Sequence, residues 1–312
     1  IAKAIESLLT QTHKDLQIIC IDDVSTDSTY SIIKEYAAQD SRIKVLQMER
    51  NSGQAKARNQ GLAVATGKYI TMLDSDDWLS EDAIESAVNV IESNGTIDSV
   101  LFSLMYSNDT DNEQAPYPMR SDQELWSGEE AFKLSLDWSI HGLYLCKSEL
   151  YRSYPFDDCC RLYSDDNTTR LHYLHSQNVG RCDGIYYYRQ HQNEMTHKVS
   201  IRRFDLLEAN ISMKNSLIKE KQNGDIIALF ERERWINFVG TYGLYINNKK
   251  LFNKSDDRTI KYIIRNSYDS IEAALLPKKL RRKFGYIYFK CFSLFKLQAS
   301  IYFSLRKLFS KE

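Results

Sequence analysis

Apolar and polar positions alternate along the first hundred residues in two distinct rhythms. Ala4, Ile5, Leu8 and Leu9 fall at helical spacing, and the same spacing returns at Ile32, Ile33 and Tyr36, and again from 53 to 65. Ala83, Ile84, Ala87, Val88 and Ile91 predict a further helix, with Ser80 as its cap. Between these segments lie short, mainly apolar, strand-like stretches at 16–21, 43–48, 69–73 and 99–105. Strands buried on both faces carry such runs, so the alternation predicts an α/β domain with a parallel sheet flanked by helices. Residues 107–126 are polar, contain Pro116 and Pro118, and predict a long loop. From 127 to 190 short helices mix with strand-like pieces at 142–146 and 185–188. Beyond about residue 200 helical spacing dominates and glycine is sparse. The expected organisation is an α/β domain over 1–200 and a helical region over 201–312.

Composition sharpens this. A chain of 312 residues, 43% hydrophobic, can bury a large core without staples, which excludes a disordered chain. Only 12 glycines and 4 prolines argue against a turn-rich β sandwich. The net charge of −1 excludes a uniformly basic nucleic-acid binder, but the charge is unevenly spread. From Lys278 to Glu312 there are ten Lys or Arg and one acid, against 31 basic and 41 acidic residues before them. A basic tail on an acidic body suggests contact with an anionic surface. The six cysteines form no CxxC pair, which argues against zinc or thioredoxin-type chemistry and fits a reducing cytosol. The chain opens directly on a helical pattern, without an initiator Met or a charged-then-apolar leader, so residues upstream are expected to be missing.

Two of the apolar runs end in acids, the first in Asp22-Asp23 and the third in Asp74-Ser75-Asp76-Asp77. In open α/β sheets ligands bind at the carboxyl ends of strands. Five carboxylates at one edge repel unless a cation or water screens them, and such oxygen ligands suit Mg²⁺ or Mn²⁺. The plainer alternative is that these acids cap the following helices, as Asp27 and Ser28 also can. Between the clusters, Gly53 allows close backbone approach before a helix whose first turns carry Lys56 and Arg58, either of which can meet a diphosphate.

Three stretches together resemble the family 2 glycosyltransferases: Ile21-Asp-Asp-Val-Ser-Thr-Asp-Ser-Thr; Asn51 followed by Ala57-Arg58-Asn59-Gln60-Gly61-Leu62; and Gly67-Lys-Tyr-Ile-Thr-Met-Leu-Asp74-Ser75-Asp76-Asp77-Trp78. The resemblance is motif-rich to about residue 106 and looser to about 198. It implies the GT-A fold and an inverting transfer from a nucleotide-sugar donor, with UDP as the expected nucleotide. It further implies that Asp22 and Asp23 contact the base and ribose and that Arg58 approaches the diphosphate. In the Asp-x-Asp motif, Asp74 is expected to face the ribose and Asp76 to hold a divalent cation, with Asp77 beside them. The chain departs from the family in three places. The usual first strand is absent, Val24 stands where Gly is common, and Asp165 stands where Glu is frequent.

An inverting transfer needs a carboxylate that takes the acceptor's proton. In the family this base lies in an acidic pair opening a helix after the sheet, and Asp165-Asp166 occupy that place, with Asp166 the expected base. On residue chemistry alone the pair can equally start a helix, with Asp166 bonded to Arg170 at i,i+4. Arg189 and His191, after the Tyr186-Tyr187-Tyr188 run, can bind phosphate or sugar hydroxyls, or simply serve structure; Trp78 and Trp138 can stack on sugar or pack. In the tail, lysines interrupt every apolar run short of a membrane span, and interleaved basic and aromatic residues suit the plane of an anionic bilayer. A packed helix with snorkelling lysines is the alternative. The expected acceptor is thus a saccharide, lipid-linked, in cell-surface polysaccharide synthesis, and the expected place is cytoplasmic, peripheral on the inner face of the membrane, without nucleic acid as partner. Rival readings are a nucleotidyltransferase of related fold, a non-catalytic relative and, more remotely, a phospho-receiver domain.

Overall fold

The computed structural model describes residues 1–108, 114–190 and 198–309. The chain forms two compact units, Ile1–Asp158 with Asp165–Glu194, and Cys159–Ser164 with Met195–Glu312. The first unit begins α1 (Ala2–Leu9), β1 (Ile18–Asp22), α2 (Thr29–Gln39), β2 (Ile43–Gln47), α3 (Gln54–Leu62), β3 (Tyr69–Thr71), β4 (Trp78–Leu79), α4 (Ala83–Ser93) and β5 (Ile97–Ser107). It continues through β6 (Gln114–Pro116), β7 (Leu125–Ser127), α5 (Gly128–Leu136), β8 (Tyr144–Lys147), α6 (Ser148–Ser153), α7 (Ser164–His175) and β9 (Asn178–Arg189).

β1 and β2 pair in parallel as a two-stranded ladder, Ile18 opposite Ile43 and Asp22 opposite Gln47. The larger sheet has the order β3-β8-β5-β9-β4, with β6 on β5 and β7 on β9. This sheet is mixed, where a mainly parallel one is expected. β5 and β9 run parallel, but β8 enters antiparallel to both β3 and β5. An apolar run marks a doubly buried strand without stating its direction, and β8 is short and follows a hairpin-free loop, so its sense was invisible. Leu101, Val100 and Phe102 of β5 are fully buried at the centre. The stretch read as a loop supplies β6 and β7, and Trp126 of β7, at 1% exposure, anchors it. Burial of a large aromatic contributes about 1.5–3 kcal/mol, enough to order a short polar edge strand. Ser80 does not cap α4. Its hydroxyl accepts from the Ile185 amide and donates to Asp82, the residue before the helix.

The second unit is helical. After a 3-10 turn (Ile201–Phe204) come α8 (Asp205–Lys219), α9 (Gly224–Asn248), α10 (Lys254–Asp269), the single turn α11 (Lys278–Arg281) and α12 (Phe292–Phe309). Asn223 and Asn253 cap α9 and α10 by accepting the amides of Ile226 and Asp256. Trp235, Phe238, Tyr268 and Phe295 pack into one aromatic core, with Trp235 stacked on Phe238 and the other rings tilted. Beside it the fully buried Glu231 accepts from Arg234 at 2.6 Å and lies 3.2 Å from the Lys214 ammonium.

Candidate active site

The site lies within the first unit, where the loops after β1 and β3 meet α3 and α7. Asp22 ends β1 with its carboxylate turned inward. It is 1% exposed and accepts from the Ser25 amide at 3.2 Å and from the Gln47 side chain at 3.3 Å. Asp23 receives the backbone N–H groups of Ser52 and Gly53, both at 2.7 Å. Charge-assisted bonds of this length fix the start of α3. Gly53 has φ 90°, open to glycine and strained for other residues. Gly61 lies so near β1 that a Cβ there would sit 2.5 Å from Ile21 Cδ1, which lets α3 lie close against the strand. Val24 adopts φ 63°, a left-handed conformation that is unfavourable for a β-branched residue. Glycine in the common family pattern thus answers a real backbone demand that this chain meets with Val.

The geometry of α3 delivers Arg58 to the centre. Its guanidinium donates to the Asp74 carboxylate, lies 3.6 Å from Asp165, and covers the Phe156 ring at 5.1 Å. Phe156 is held in turn by Asn59, which donates to its carbonyl and accepts from its amide, each at 2.9 Å. Burial works against the Arg58 charge, but the two acids outweigh it and raise its pKa, so the group is a permanent cation. Lys56 faces elsewhere, toward Asp158 at 3.8 Å.

Residues 74–77 form a turn closed by the Asp77 amide donating to the Asp74 carbonyl at 3.1 Å. Asp77 is 2% exposed and accepts from the Tyr186 hydroxyl and the Arg189 amide, each at 2.8 Å. Burial pushes its carboxyl up to about 7. The Tyr186 hydroxyl also accepts from the Asp74 amide at 3.2 Å, and the Arg189 side chain donates to the Asp76 carbonyl at 3.0 Å. β9 therefore clamps the turn from below and leaves the Asp76 side chain exposed. The five acids do not pool their charge: Asp22, Asp23, Asp74 and Asp77 each have protein donors. No three Asp, Glu, His or Cys side chains gather into a metal-holding group among the described residues. Protein donors thus relieve part of the repulsion that was expected to need a cation or water. The arrangement still fits Mg²⁺ or Mn²⁺, which commonly take one or two carboxylates together with substrate phosphates.

Asp165 and Asp166 open α7. Asp165 is half exposed, while Asp166 is 22% exposed, 4.0 Å from the Arg170 guanidinium. Burial, reinforced by Asp165 and opposed by Arg170, pushes Asp166 up to about 7. Arg170 is buried, with its guanidinium 5.2 Å over the Trp138 ring. Trp78 is packed, with Tyr187 stacked at 5.1 Å and the Lys3 ammonium 3.2 Å over its ring. His191 lies outside the described residues. Sequence reasoning passed over Tyr186, Gln54 and Phe156 as site residues. The first two bond to Asp74 or its neighbour, and Gln54 donates to the Asp74 carboxylate at 3.2 Å. The only sequence signal for Tyr186 was its place in an aromatic strand, which packing alone would explain.

Residues 1–161 match the family described as Glycosyl transferase family 2, and the chain belongs to that family. It is 30% identical over 200 residues to glycosyltransferase GlyG of Streptococcus pneumoniae serotype 4, a match spanning 61% of this chain and 66% of that protein. The chain thus spans just under two thirds of that relative's length. Among solved structures it is similar to S. aureus TarS 1–349 in complex with UDP, with a TM-score of 0.73 and 19% identity over 97% of this chain and 87% of that one. It is also similar to the mannosyltransferase PcManGT of Pyrobaculum calidifontis in complex with GDP-Man and Mn²⁺, with a TM-score of 0.53 and 14% identity over 100% and 84% of the two chains. The fold is the GT-A fold, with a mixed sheet flanked by helices and a helical C-terminal region.

Proposed function

We propose that this chain is an inverting glycosyltransferase that moves a sugar from a nucleoside-diphosphate donor, UDP-linked in the first instance, to a hydroxyl of a saccharide acceptor. The observation that carries this is the convergence on Arg58, which joins Asp74 of the Asp-x-Asp turn to Asp165 of the acidic pair across more than a hundred residues of sequence. A donor-side acid, a fixed cation and an acid pair with a raised carboxyl in one place are the parts an inverting transfer needs.

In this reading, Asp23, Asp74 and the start of α3 receive the nucleoside, with Asp22 behind them supporting the turn. Arg58 exchanges part of its contact with Asp74 for a diphosphate oxygen and stabilises the charge that gathers on the leaving group. Asp76 would hold a divalent cation, which would supply further neutralisation of the diphosphate. Asp166 takes the proton from the acceptor hydroxyl. A pKa near 7 suits this role, because the group is ionised at working pH and still basic enough to accept a proton. Asp165 keeps Arg58 in register, and Asp77 with Arg189 keeps the turn in place.

The acceptor is read as lipid-linked and the setting as cell-surface polysaccharide synthesis, with the enzyme peripheral on the cytoplasmic face of the membrane. Family resemblance and the basic tail support this, and no helix among the described residues is long and apolar enough to cross a membrane. The test is release of nucleoside diphosphate from a panel of nucleotide sugars with Mn²⁺ or Mg²⁺ and a saccharide acceptor. Acceptor-dependent release that EDTA abolishes is expected. Release of pyrophosphate from a nucleoside triphosphate and a sugar phosphate would instead identify a nucleotidyltransferase.

A further inference from the structure

The most unusual surface of the molecule is on α12. At 100° per residue, Leu294, Leu297, Ile301, Leu305 and Leu308 fall within an arc of about 80°. They are 51%, 61%, 46%, 41% and 69% exposed. Phe295, Ala299 and Phe303, on the far side of the same helix, are buried in the aromatic core. The helix is therefore apolar on two faces, and among the described residues the Leu294–Leu308 face is the exposed one. An exposed apolar stripe of this length marks an interaction surface.

Its surroundings indicate what covers it. Between Lys278 and Phe309 the chain carries nine Lys or Arg and no acid. Lys278, Lys279, Arg282 and Lys283 are all exposed. The rings that follow them, Phe284 and Tyr286, meet the edge of Tyr302 on α12 at 6.0 Å each, so the basic stretch is tied to the flank of the striped helix. Phe284 itself is 47% exposed. A second copy of this chain on the stripe would bring two such basic clusters together, and like charges oppose that. An anionic surface is matched on both counts, by the apolar stripe and by the charge beside it.

We infer that the Leu294–Leu308 stripe of α12 is the face by which this chain inserts into an anionic lipid bilayer, with the basic stretch at 278–283 engaging the headgroups. This rests on the membrane reading above and adds to it the inserting face. The helix lies in the plane of the interface. Phe295, Ala299 and Phe303 stay in the protein core while the stripe sinks toward the acyl chains.

The test is flotation of the full chain with vesicles of phosphatidylglycerol and phosphatidylcholine, and with vesicles of phosphatidylcholine alone. The parent should float with the anionic vesicles and much less with the neutral ones. The L297E/I301E variant should lose partitioning on the order of 100-fold. The K278S/K279S/R282S variant should lose it on the order of 10-fold or more, and only on anionic vesicles. Both alter exposed positions, and unchanged helical circular dichroism and melting confirm that the fold is retained. A parent that ignores anionic vesicles overturns the membrane reading itself. A parent that floats while L297E/I301E floats equally overturns the inserting face and leaves membrane association standing. If sedimentation shows a dimer that L297E/I301E makes monomeric, and lipid binding is unaffected, the stripe is a self-interface and the inference fails.

Discussion

If Asp166 is the base, Arg170 sets the pH at which it works, and removing that cation should move the activity profile by a calculable amount. The two groups are 4.0 Å apart. Unit charges at that distance interact by about 4 kcal/mol at an effective dielectric of 20 and about 1 kcal/mol in water. One pKa unit corresponds to about 1.4 kcal/mol, so Arg170→Met should raise the Asp166 pKa by between about 1 and about 3 units. Asp166 already stands at about 7 because burial outweighs Arg170. In the parent, kcat/KM should therefore fall about tenfold for each pH unit below 7, since only the ionised carboxylate accepts the proton. In Arg170→Met the acid limb should move upward, to about 8 or higher. Methionine keeps the apolar stem and removes the guanidinium with its charge. Asp166→Asn should lower kcat on the order of 10²-fold or more at every pH, with donor affinity nearly intact. The assay is nucleoside-diphosphate release across pH 5–9, with melting measured on the same samples. An unmoved acid limb in a folded Arg170→Met protein would refute the assignment, as would Asp166→Asn with normal turnover. Damage confined to Asp165→Asn would shift the base by one residue.

Three further expectations follow from individual contacts. Asp76→Asn should weaken Mn²⁺-dependent UDP binding on the order of tenfold or more in calorimetry, and UDP binding that neither this change nor EDTA affects would remove the cation from Asp76. Val24→Gly should raise stability by up to about 1 kcal/mol, because relief of the left-handed conformation exceeds the added chain entropy; a lower midpoint in urea would mean the strain is absent. Glu231→Ala should destabilise the second unit by about 3–5 kcal/mol by leaving the buried Arg234 without its acid, while Lys214 keeps Glu272 at 2.6 Å, and a loss under about 1 kcal/mol in urea unfolding would show that water reaches the cluster.

Local pattern was enough to determine the alternation of helix and strand through the first hundred residues, because an amphipathic period and an apolar run each reflect short-range burial that neighbouring residues share. It was also enough to mark the acidic strand ends; Arg58 and the acidic pair at 165–166 took their expected roles from the family resemblance, because residue type and spacing alone left them open to a solvated face and a helix start. The direction of β8, the pairing of β6 and β7, and the clamp of Tyr186 on Asp77 depend on partners tens of residues away, which no local period encodes. Tertiary structure alone decided that Asp22 and Asp77 are buried while Asp76 is exposed, and that Lys56 turns toward Asp158 while Arg58 turns inward. It also separated Asp165 from Asp166. Identical side chains one residue apart differ because helix geometry points them about 100° apart, one toward Arg58 and water, the other into burial beside Arg170, where desolvation raises the pKa.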